Sequence, residues 1–245
     1  MSQNQNIAKL NQMKIYGMAR VYEQIRSSKA SESMTDEELI TFLVSAEWDL
    51  RENQKLQRLV KSAKFRYQAS VEEIAFSKDR NLDKSIFLKL ASCDYIEKKE
   101  NIIITGATGV GKSHLASALG NEACVNGYKT IYCNVNKLLS SLKMKRADGS
   151  YLRELEKLER QDLLILDDFG IAEFDTQNRL DFLEIIEDRH GKKSTIMTSQ
   201  IPLNKWHDVI ADSTIADAIL DRVVHNSHRI ELKGGSLRKK REEAF

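Results

Sequence analysis

The sequence has few residues that break or cross-link a chain. One proline, Pro202, and 11 glycines in 245 residues leave little chain for long flexible linkers. The three cysteines form no CxxC pair and are too few for a disulfide framework, so we expect reduced thiols and a cytoplasmic protein. No apolar run reaches the roughly 20 residues of a membrane-spanning helix, and the polar first residues indicate no signal peptide. We therefore expect neither a membrane protein, nor a secreted scaffold, nor a cysteine-based zinc site.

A strong excess of one charge is also absent, since 38 basic residues face 36 acidic ones and the net charge is +2. An even spread of these charges would argue against a polyanionic partner. Instead, basic residues concentrate in the segments 51–68, 137–146 and 238–241. The sequence leaves two interpretations of segment 51–68 equally open, a nucleic-acid contact and a solvated helix face.

The first part of the chain has the pattern of a small helical domain. Apolar residues recur at helical spacing from Ile7 to about Lys64, with hardly a β-branched run among them. Thr35 and Glu38 have the spacing of a capping box, which predicts one or two helices after residue 35. We expect a helical N-terminal domain over residues 1–70.

From about residue 100, short apolar runs alternate with helical segments. The predicted strands are NIIIT, KTIYCNV, DLLILDD, STIMTSQ and HRIEL, and the predicted helices between them cover 112–126, 136–146, 152–160 and 176–190. Five strands joined by helices predict an α/β fold with a five-stranded parallel sheet covered on both faces. We assign residues 71–245 to this domain and predict that segment 70–100, which leads into the first strand, is helical.

A phosphate-binding motif lies between the first predicted strand and the next helix. The segment Gly106-Ala107-Thr108-Gly109-Val110-Gly111-Lys112-Ser113 is a full match to GxxxxGK[ST]. Its glycines permit a turn in which backbone N–H groups point at phosphate oxygens, and the following helix offers its positive end. Lys112 is expected to neutralise the β- and γ-phosphates of ATP, and the Ser113 hydroxyl to bind Mg²⁺. His114 is expected on the helix beside the nucleotide.

Two carboxylates end another apolar strand, in the sequence LLILDD that closes with Asp167 and Asp168. Paired acids at the end of a buried strand are costly unless they act at the carboxyl edge of the sheet. Asp167 is expected to hold Mg²⁺ through water, and Asp168 to polarise the attacking water. The alternative for Asp167 is a cap on the next helix. Some ATPases place a strand between the phosphate loop and such acids, and KTIYCNV is the candidate for that strand.

Five segments together carry a resemblance to a known family. They are SAEWDLRENQKLQRLVKSAKFR, ITGATGVGKSHLASALG, DLLILDDFG, STIMTSQIPLNKWHDVI and ADAILDRVVHNSHRIELKGGSLRKK. The chain resembles, nearly end to end, the IstB-like ATP-binding proteins of insertion sequences, a branch of the AAA+ ATPases close to the DnaC helicase loaders. The resemblance implies an AAA+ core and an ATP-dependent helper that forms a homo-oligomer on double-stranded DNA. It also implies a transposase as partner and ATP sites between subunits.

The resemblance implies two further catalytic roles. Arg222 matches the arginine that AAA+ subunits insert into a neighbour's ATP site, where it stabilises charge on the γ-phosphate. The alternative for Arg222 is a surface salt bridge with Asp217 or Asp221. Ser199 resembles the polar sensor that helps to hold the attacking water.

Other positions leave more than one interpretation. Thr198 or Gln200 could take the sensor place of Ser199. Arg238 resembles the second sensor arginine, although it lies in a basic tail and could simply be solvated.

The chain departs from the wider AAA+ pattern in two ways. Asp168 stands where most members have glutamate, so its carboxylate is about one methylene short of the usual position, and we expect slow hydrolysis that assembly on DNA accelerates. Only a short tail follows the last strand, so we expect no C-terminal lid domain. Adenine recognition is then expected from the segment before the first strand, around Phe76 to Leu82.

The segment KLLSSLKMKR holds Lys143, Lys145 and Arg146 without an acidic residue. Several cations on one surface favour phosphate contacts, and the resemblance places this helix toward the central channel of the oligomer. The alternative is a solvated helix end, where cations also suit the helix dipole. We expect reversal of these three charges to abolish DNA binding and to leave the monomer folded.

Three other functions remain open from the sequence. A helicase loader shares the core and would bind single-stranded DNA and a replicative helicase. A P-loop kinase is disfavoured by the missing lid and by Arg222. In a nucleotide-gated scaffold, ATP would drive assembly and hydrolysis would only reset it.

Overall fold

The computed structural model describes residues 4–28 and 34–237. The chain divides into two compact units, Met1–Arg58 and Leu59–Phe245, whereas the sequence suggested a division at residue 70. The difference arises because Phe65, Tyr67 and Ala69 pack in an apolar cluster of the second unit.

The helices of the N-terminal part are α1 (Asn4–Gln12), α2 (Tyr16–Ser27) and α3 (Asp36–Ala63). The capping box at the start of α3 is present, since the Thr35 N–H donates to Glu38 Oε2 at 2.8 Å and the Glu38 N–H donates to Thr35 Oγ1 at 3.3 Å. One continuous helix of 28 residues follows. For the described residues between 7 and 64, the helical prediction is confirmed.

The second unit is built on one parallel sheet. Its strands are β1 (Asn101–Gly106), β2 (Thr130–Asn134), β3 (Leu163–Phe169), β4 (Ser194–Ser199) and β5 (Ser227–Leu232). Its helices are α4 (Lys84–Ala91), α5 (Asp94–Glu97), α6 (Lys112–Val125), α7 (Val135–Ala147), α8 (Tyr151–Glu159), α9 (Thr176–Arg189), α10 (Trp206–Ile210) and α11 (Ser213–Val224). The predicted five-stranded parallel sheet is confirmed.

The strand order is β2-β3-β4-β1-β5, so the strand between β1 and β3 is β4. The prediction that KTIYCNV, which forms β2, would lie there is wrong. The 14 residues of α6 extend about 21 Å. The helix contacts β1, β4, β3 and β2, so it connects β1 with the far edge of the sheet past two strands. β1 and β2, which are consecutive along the chain, are therefore not neighbours in the sheet.

Segment 70–100 is helical only in its second half, which corrects the prediction. Lys78–Arg80 form a single 3₁₀ turn and α4 begins at Lys84. The helix begins there because the Asp83 side chain caps it, accepting from the backbone N–H groups of Ser85 and Ile86 at 2.7 and 3.0 Å. The preceding loop is held in place by the guanidinium of Arg80.

The two faces of the sheet are both covered. Alternate strand residues enter two separate apolar clusters: Ile103 and Leu164 lie in one, and Ile102, Ile104 and Ile165 lie in the other. This alternation follows from the two-residue period of a strand. Because all five strands are parallel, their carboxyl ends lie along one edge of the sheet. The phosphate loop and the Asp167–Asp168 pair lie at this edge.

The described part of the chain ends soon after the sheet. Residues 233–237 follow β5 and form no lid domain. Among residues 4–28 and 34–237, no helix combines the length and the apolar character needed to cross a membrane.

Helix α6, which carries Lys112 and Ser113, approaches the sheet closely at Gly120. A Cβ added there would lie 2.5 Å from Phe65 Cε1 and 2.6 Å from Ile165 Cδ1. We expect Gly120→Ala to lower the free energy of unfolding by about 1–3 kcal/mol because the extra methyl overpacks this contact. Urea unfolding followed by circular dichroism measures the change.

Gly235→Ala is the matched control, because a Cβ added at Gly235 meets nothing within 4 Å. A Gly120→Ala protein as stable as the Gly235→Ala protein would contradict the close packing of α6.

Candidate active site

The phosphate loop has the conformation that its glycines permit. Gly109 and Gly111 have φ values of +84° and +99°, which side chains with a Cβ rarely adopt. The loop also contacts the last described residues, since the Leu237 N–H donates to the Gly109 carbonyl at 3.0 Å. A Cβ added to Gly109 would meet the Ser236 side chain at 2.3 Å, so this position is closed to larger residues.

Lys112 is buried at the start of α6. Its Nζ donates to the carbonyls of Gly106 and Ala107 at 2.8 and 2.9 Å. The ammonium group therefore lies within the curve of the loop, where the sequence predicted a contact with phosphate.

Asp167 ends the buried part of β3 and lies beside the loop. Its side chain is fully buried, and Oδ1 accepts from Ser113 Oγ at 2.8 Å and from Thr198 Oγ1 at 2.5 Å. Oδ2 accepts from the Tyr132 hydroxyl and from Arg66 Nη1, the latter at 3.2 Å. Burial and the Asp167 carboxylate raise the pKa of Tyr132, so the phenol remains a donor. Each oxygen of this carboxylate is thus satisfied by donors from different elements.

Ser113 and Asp167 offer a hydroxyl oxygen and a carboxylate oxygen, which are ligands that Mg²⁺ takes in proteins. The two oxygens are close enough to share a cation or one of its water ligands. The donor set therefore fits Mg²⁺. Asp167 is not a helix cap, because α9 begins at Thr176 and is capped by Asp175.

Asp168 lies at an irregular point of β3. Its φ is +63°, in the left-handed region, and the pairing of β3 with β4 shifts register between Leu166 and Phe169. Its Oδ2 accepts from Arg66 Nη1 at 2.9 Å and from Asn134 Nδ2 at 3.2 Å. A non-glycine residue in this conformation is held by its surroundings, a feature that clusters at functional sites.

The sensor candidates at the end of β4 have different surroundings. The Ser199 hydroxyl is buried, donates to the Phe169 carbonyl at 2.8 Å and accepts from the Ile201 N–H at 3.0 Å. Thr198 Oγ1 contacts Asp167 and accepts from the Asp168 N–H at 3.1 Å. The structure thus brings Thr198 to the carboxylate pair and directs Ser199 to the backbone.

Gln200, the other alternative, also reaches the phosphate loop. Its Oε1 accepts from Thr108 Oγ1 at 2.5 Å.

A cavity of about 580 Å³ opens beside the loop. Its lining combines the end of the phosphate loop with residues that precede β1 in the chain. It includes Tyr67, Ile74, Arg80 and His114. His114 lies 6.0 Å from Tyr67, ring centre to ring centre. Of the segment Phe76 to Leu82, expected to contact adenine, Arg80 lines this cavity.

Arg80 also supports the phosphate loop. Its guanidinium donates to the carbonyls of Ala75 and Val110 at 2.6 and 3.1 Å, and burial lowers its pKa. The residue therefore joins the segment before β1 to the loop.

Arg222 lies near the amino ends of the strands, whereas the phosphate loop lies at their carboxyl ends. The side chain of Asn101, the first residue of β1, donates to the Arg222 carbonyl at 3.3 Å, whereas the loop follows the last residue of β1. Arg222 Nη2 pairs with Glu187 at 2.9 Å rather than with Asp217 or Asp221. Arg238 lies outside the described residues.

Three residues that the sequence did not assign to the site contact its carboxylates: Arg66, Tyr132 and Asn134. Asn134 had a usable signal, a polar residue at the end of a strand. The sequence places Arg66 in the basic segment 51–68 and does not distinguish it from the other cations there. Tyr132 lies within an ordinary strand sequence and gave no signal.

The three cations predicted to bind DNA differ in their surroundings. Lys143 is 69% exposed and lies 3.9 Å from Asp175. Lys145 pairs with Glu154, and Arg146 pairs with the buried Asp181 at 2.5 Å. Only Lys143 of the three is largely exposed to solvent.

The prediction that reversing all three charges leaves the monomer folded is untested, and the surroundings of Arg146 argue against it. A carboxylate at position 146 would face Asp181, whose side chain is only 1% exposed. Since Arg146 itself is 39% exposed, the loss of stability is smaller than for a fully buried pair.

Comparison with protein families agrees with this geometry. A family model described as IstB-like ATP binding protein matches residues 8–244. The insertion sequence ATP-binding protein y4pL of Sinorhizobium fredii is 44% identical over 231 residues, 94% of each chain. An ATP-binding protein of insertion sequence IS1162 from Pseudomonas fluorescens is 41% identical over 197 residues, 80% of this chain and 85% of the relative.

Solved structures of low sequence identity have a similar fold. DnaI is 19% identical with a TM-score of 0.60, covering 72% of this chain and 94% of that chain. The DnaC helicase loader is 20% identical with a TM-score of 0.58, covering 70% and 100%. AMPPCP-bound DnaA from Aquifex aeolicus is 20% identical with a TM-score of 0.60, covering 74% and 56%. These likenesses show the fold alone.

The contacts at the end of β4 distinguish Thr198 from Ser199. We expect Thr198→Val, which keeps the shape and removes the hydroxyl, to slow ATP hydrolysis by about tenfold or more, because the Asp167 carboxylate loses a donor and the Asp168 N–H loses its acceptor. Phosphate release measures the rate.

Ser199→Ala is the matched comparison. It should lower stability by about 1 kcal/mol through its lost backbone contacts and leave the rate within about twofold. A larger loss of rate in Ser199→Ala than in Thr198→Val would make Ser199 the sensor.

Proposed function

The chain belongs to the family of IstB-like ATP-binding proteins, and on that premise we propose that it is an ATP-dependent, DNA-binding helper of a transposase in insertion-sequence transposition. It assembles as a homo-oligomer on double-stranded DNA and hydrolyses ATP between subunits. The observation that carries the catalytic part of this proposal is the 2.8 Å contact between Ser113 and the buried Asp167, beside Lys112.

The phosphate loop supports ATP as the ligand. Backbone N–H groups of residues 106–111 and the start of α6 suit the phosphates, and Lys112 exchanges the loop carbonyls for phosphate oxygens. Ser113 and Asp167 would hold Mg²⁺, which neutralises charge on the β- and γ-phosphates. Tyr132 and Thr198 keep Asp167 in place for this task.

Asp168 orients the attacking water in this proposal. Its carboxylate is partly exposed and lines the cavity, so it has access to water and to the nucleotide. An aspartate carboxylate reaches about one methylene less far than the glutamate usual in AAA+ proteins. We therefore propose slow hydrolysis that assembly on DNA accelerates.

Arg222 supports an oligomeric enzyme. The six residues of β1 extend about 17–20 Å, which separates Arg222 from the phosphate loop of its own chain. The Arg222 guanidinium is partly exposed. It therefore serves the ATP site of a neighbouring subunit, where a cation stabilises the charge of the reacting phosphate.

Mixing two inactive variants tests this division between subunits. We expect Asp168→Asn and Arg222→Ala each to lose most ATP hydrolysis in the presence of duplex DNA. An equimolar mixture should recover about a quarter of the wild-type rate, since that share of randomly formed interfaces pairs an intact Asp168 with an intact Arg222. Phosphate release on DNA measures all three samples.

Glu187→Ala is the matched control, because it breaks the same ion pair and retains Arg222. Full activity of Asp168→Asn, or a mixture no more active than its components, would contradict the proposal.

Lys143 is the strongest candidate for a DNA contact. In this proposal Lys145 and Arg146 contribute less to the DNA affinity than Lys143 does, because both also pair with acidic residues of their own chain. Lys137 is exposed on the same helix. The cations act through phosphate and not through base edges, because the sequence contains no recognition-helix or zinc signature.

We expect Lys137→Glu with Lys143→Glu to weaken duplex binding by about tenfold or more and to flatten its salt dependence, because fewer counterions are released. Anisotropy titrations with ATP measure the affinity, and electron microscopy of the same samples shows rings or filaments around DNA.

The control for charge is Lys89→Glu with Lys205→Glu, which changes the net charge equally at exposed positions of α4 and of the turn before α10. Unchanged affinity in the α7 variant would remove α7 from the DNA interface. Tighter binding of single strands than of duplex by the wild-type protein would favour a helicase loader.

A further inference from the structure

Arg66 is a cation of the active site that the phosphate-loop and carboxylate motifs do not include. It lies three residues after the end of α3 and lines the same cavity as Lys112 and Ser113. Its Nη1 donates to Asp167 Oδ2 at 3.2 Å and to Asp168 Oδ2 at 2.9 Å. One guanidinium nitrogen thus joins the two carboxylates that the proposed reaction uses.

A metal ion at Asp167 would weaken this contact. Ser113 and Arg66 contact the two oxygens of the same carboxylate. A divalent cation shared by Ser113 and Asp167 would therefore lie within a few ångströms of the guanidinium, and the two positive charges would repel each other. Binding of the metal therefore favours movement of Arg66 away from Asp167.

The side chain of Arg66 has room and hydrogen-bonding capacity to move. It is 42% exposed, and its contacts with the two carboxylates use Nη1 alone. A guanidinium has five N–H donors in a planar fork that suits phosphate oxygens. Asp168, its second partner, is the residue proposed to face the water that attacks the terminal phosphate.

We propose that Arg66 binds the terminal phosphate of ATP in its own subunit, moving there from the Asp167–Asp168 pair when Mg²⁺ occupies the site. This inference rests on the proposed function. It gives the site a residue that distinguishes a nucleoside triphosphate from a diphosphate, because only the triphosphate extends to the carboxylate pair.

Equilibrium binding of AMPPCP and ADP, each with Mg²⁺, tests the proposal. We expect Arg66→Gln to weaken AMPPCP binding by about tenfold or more and ADP binding by no more than about twofold, the size of one lost charge-assisted contact. Arg66→Lys, which keeps the charge and loses the fork, should fall between wild type and Arg66→Gln. Lys64→Gln is the matched control, since it removes an exposed cation two residues away.

A second measurement tests the movement itself. When EDTA removes Mg²⁺, Arg66 should stay on the carboxylates, and the wild-type preference for AMPPCP over ADP should shrink toward that of Arg66→Gln. An undiminished preference in EDTA would contradict displacement by the metal.

Each other outcome has a distinct meaning. Equal or tighter AMPPCP binding by Arg66→Gln would overturn the proposal, because Arg66 would then only compete with the metal. Equal weakening of both nucleotides would also overturn it, since that pattern indicates a damaged cavity. If Arg66→Gln does not fold, Arg66→Lys decides the same comparison. Failure of the wild-type protein to bind either nucleotide would overturn the proposed function together with this inference.

Discussion

The active site depends on one buried carboxylate, that of Asp167, whose two oxygens must find hydrogen-bond donors in the interior. A buried carboxylate without partners would cost several kcal/mol, and here four side chains supply hydrogen bonds. These donors come from the start of α6, from β2, from β4 and from the segment after α3. The parallel sheet makes this convergence possible, because β2, β3 and β4 all end at the edge where the phosphate loop begins. Assembly of the site is therefore inseparable from formation of the sheet.

The sequence is most informative where a residue type has few alternative uses. A lysine after a glycine-rich turn, such as Lys112, can be placed at the sheet edge from the sequence alone. The same is true of two acids that follow an apolar strand, and neither placement requires knowing which strands are adjacent. The order of the strands cannot be predicted in this way, because it depends on where each connecting helix packs across the sheet. For that reason the strands themselves could be predicted, whereas the position of β4 between β1 and β3 could not.

Contacts between distant segments were the least predictable part of the site. Arg66 and Asp168 are separated by 102 positions, and Tyr132 and Asp167 by 35. Nothing local distinguishes Arg66 from the other cations of its segment. Likewise, Arg146 and Lys143 look equivalent in sequence, and only the fold shows that Arg146 is paired with the buried Asp181. A cluster of basic residues in the sequence therefore shows only that the cations are close along the chain. Whether their side chains are free to contact DNA depends on how they pack in the fold.

The charges of the site itself argue for a neighbouring subunit. Two cations, Arg66 and Lys112, and two carboxylates, Asp167 and Asp168, leave the four groups neutral as a set. ATP with Mg²⁺ adds a net charge of about −2, which these groups cannot offset. Movement of Arg66 to the phosphate redistributes positive charge without adding any. Arg80 lines the same cavity, but its guanidinium is engaged by the carbonyls of Ala75 and Val110. Arg222 of the same chain is held too far from the phosphate loop to contribute. The proposed Arg222 of another copy would add a cation that is not already engaged at this cavity.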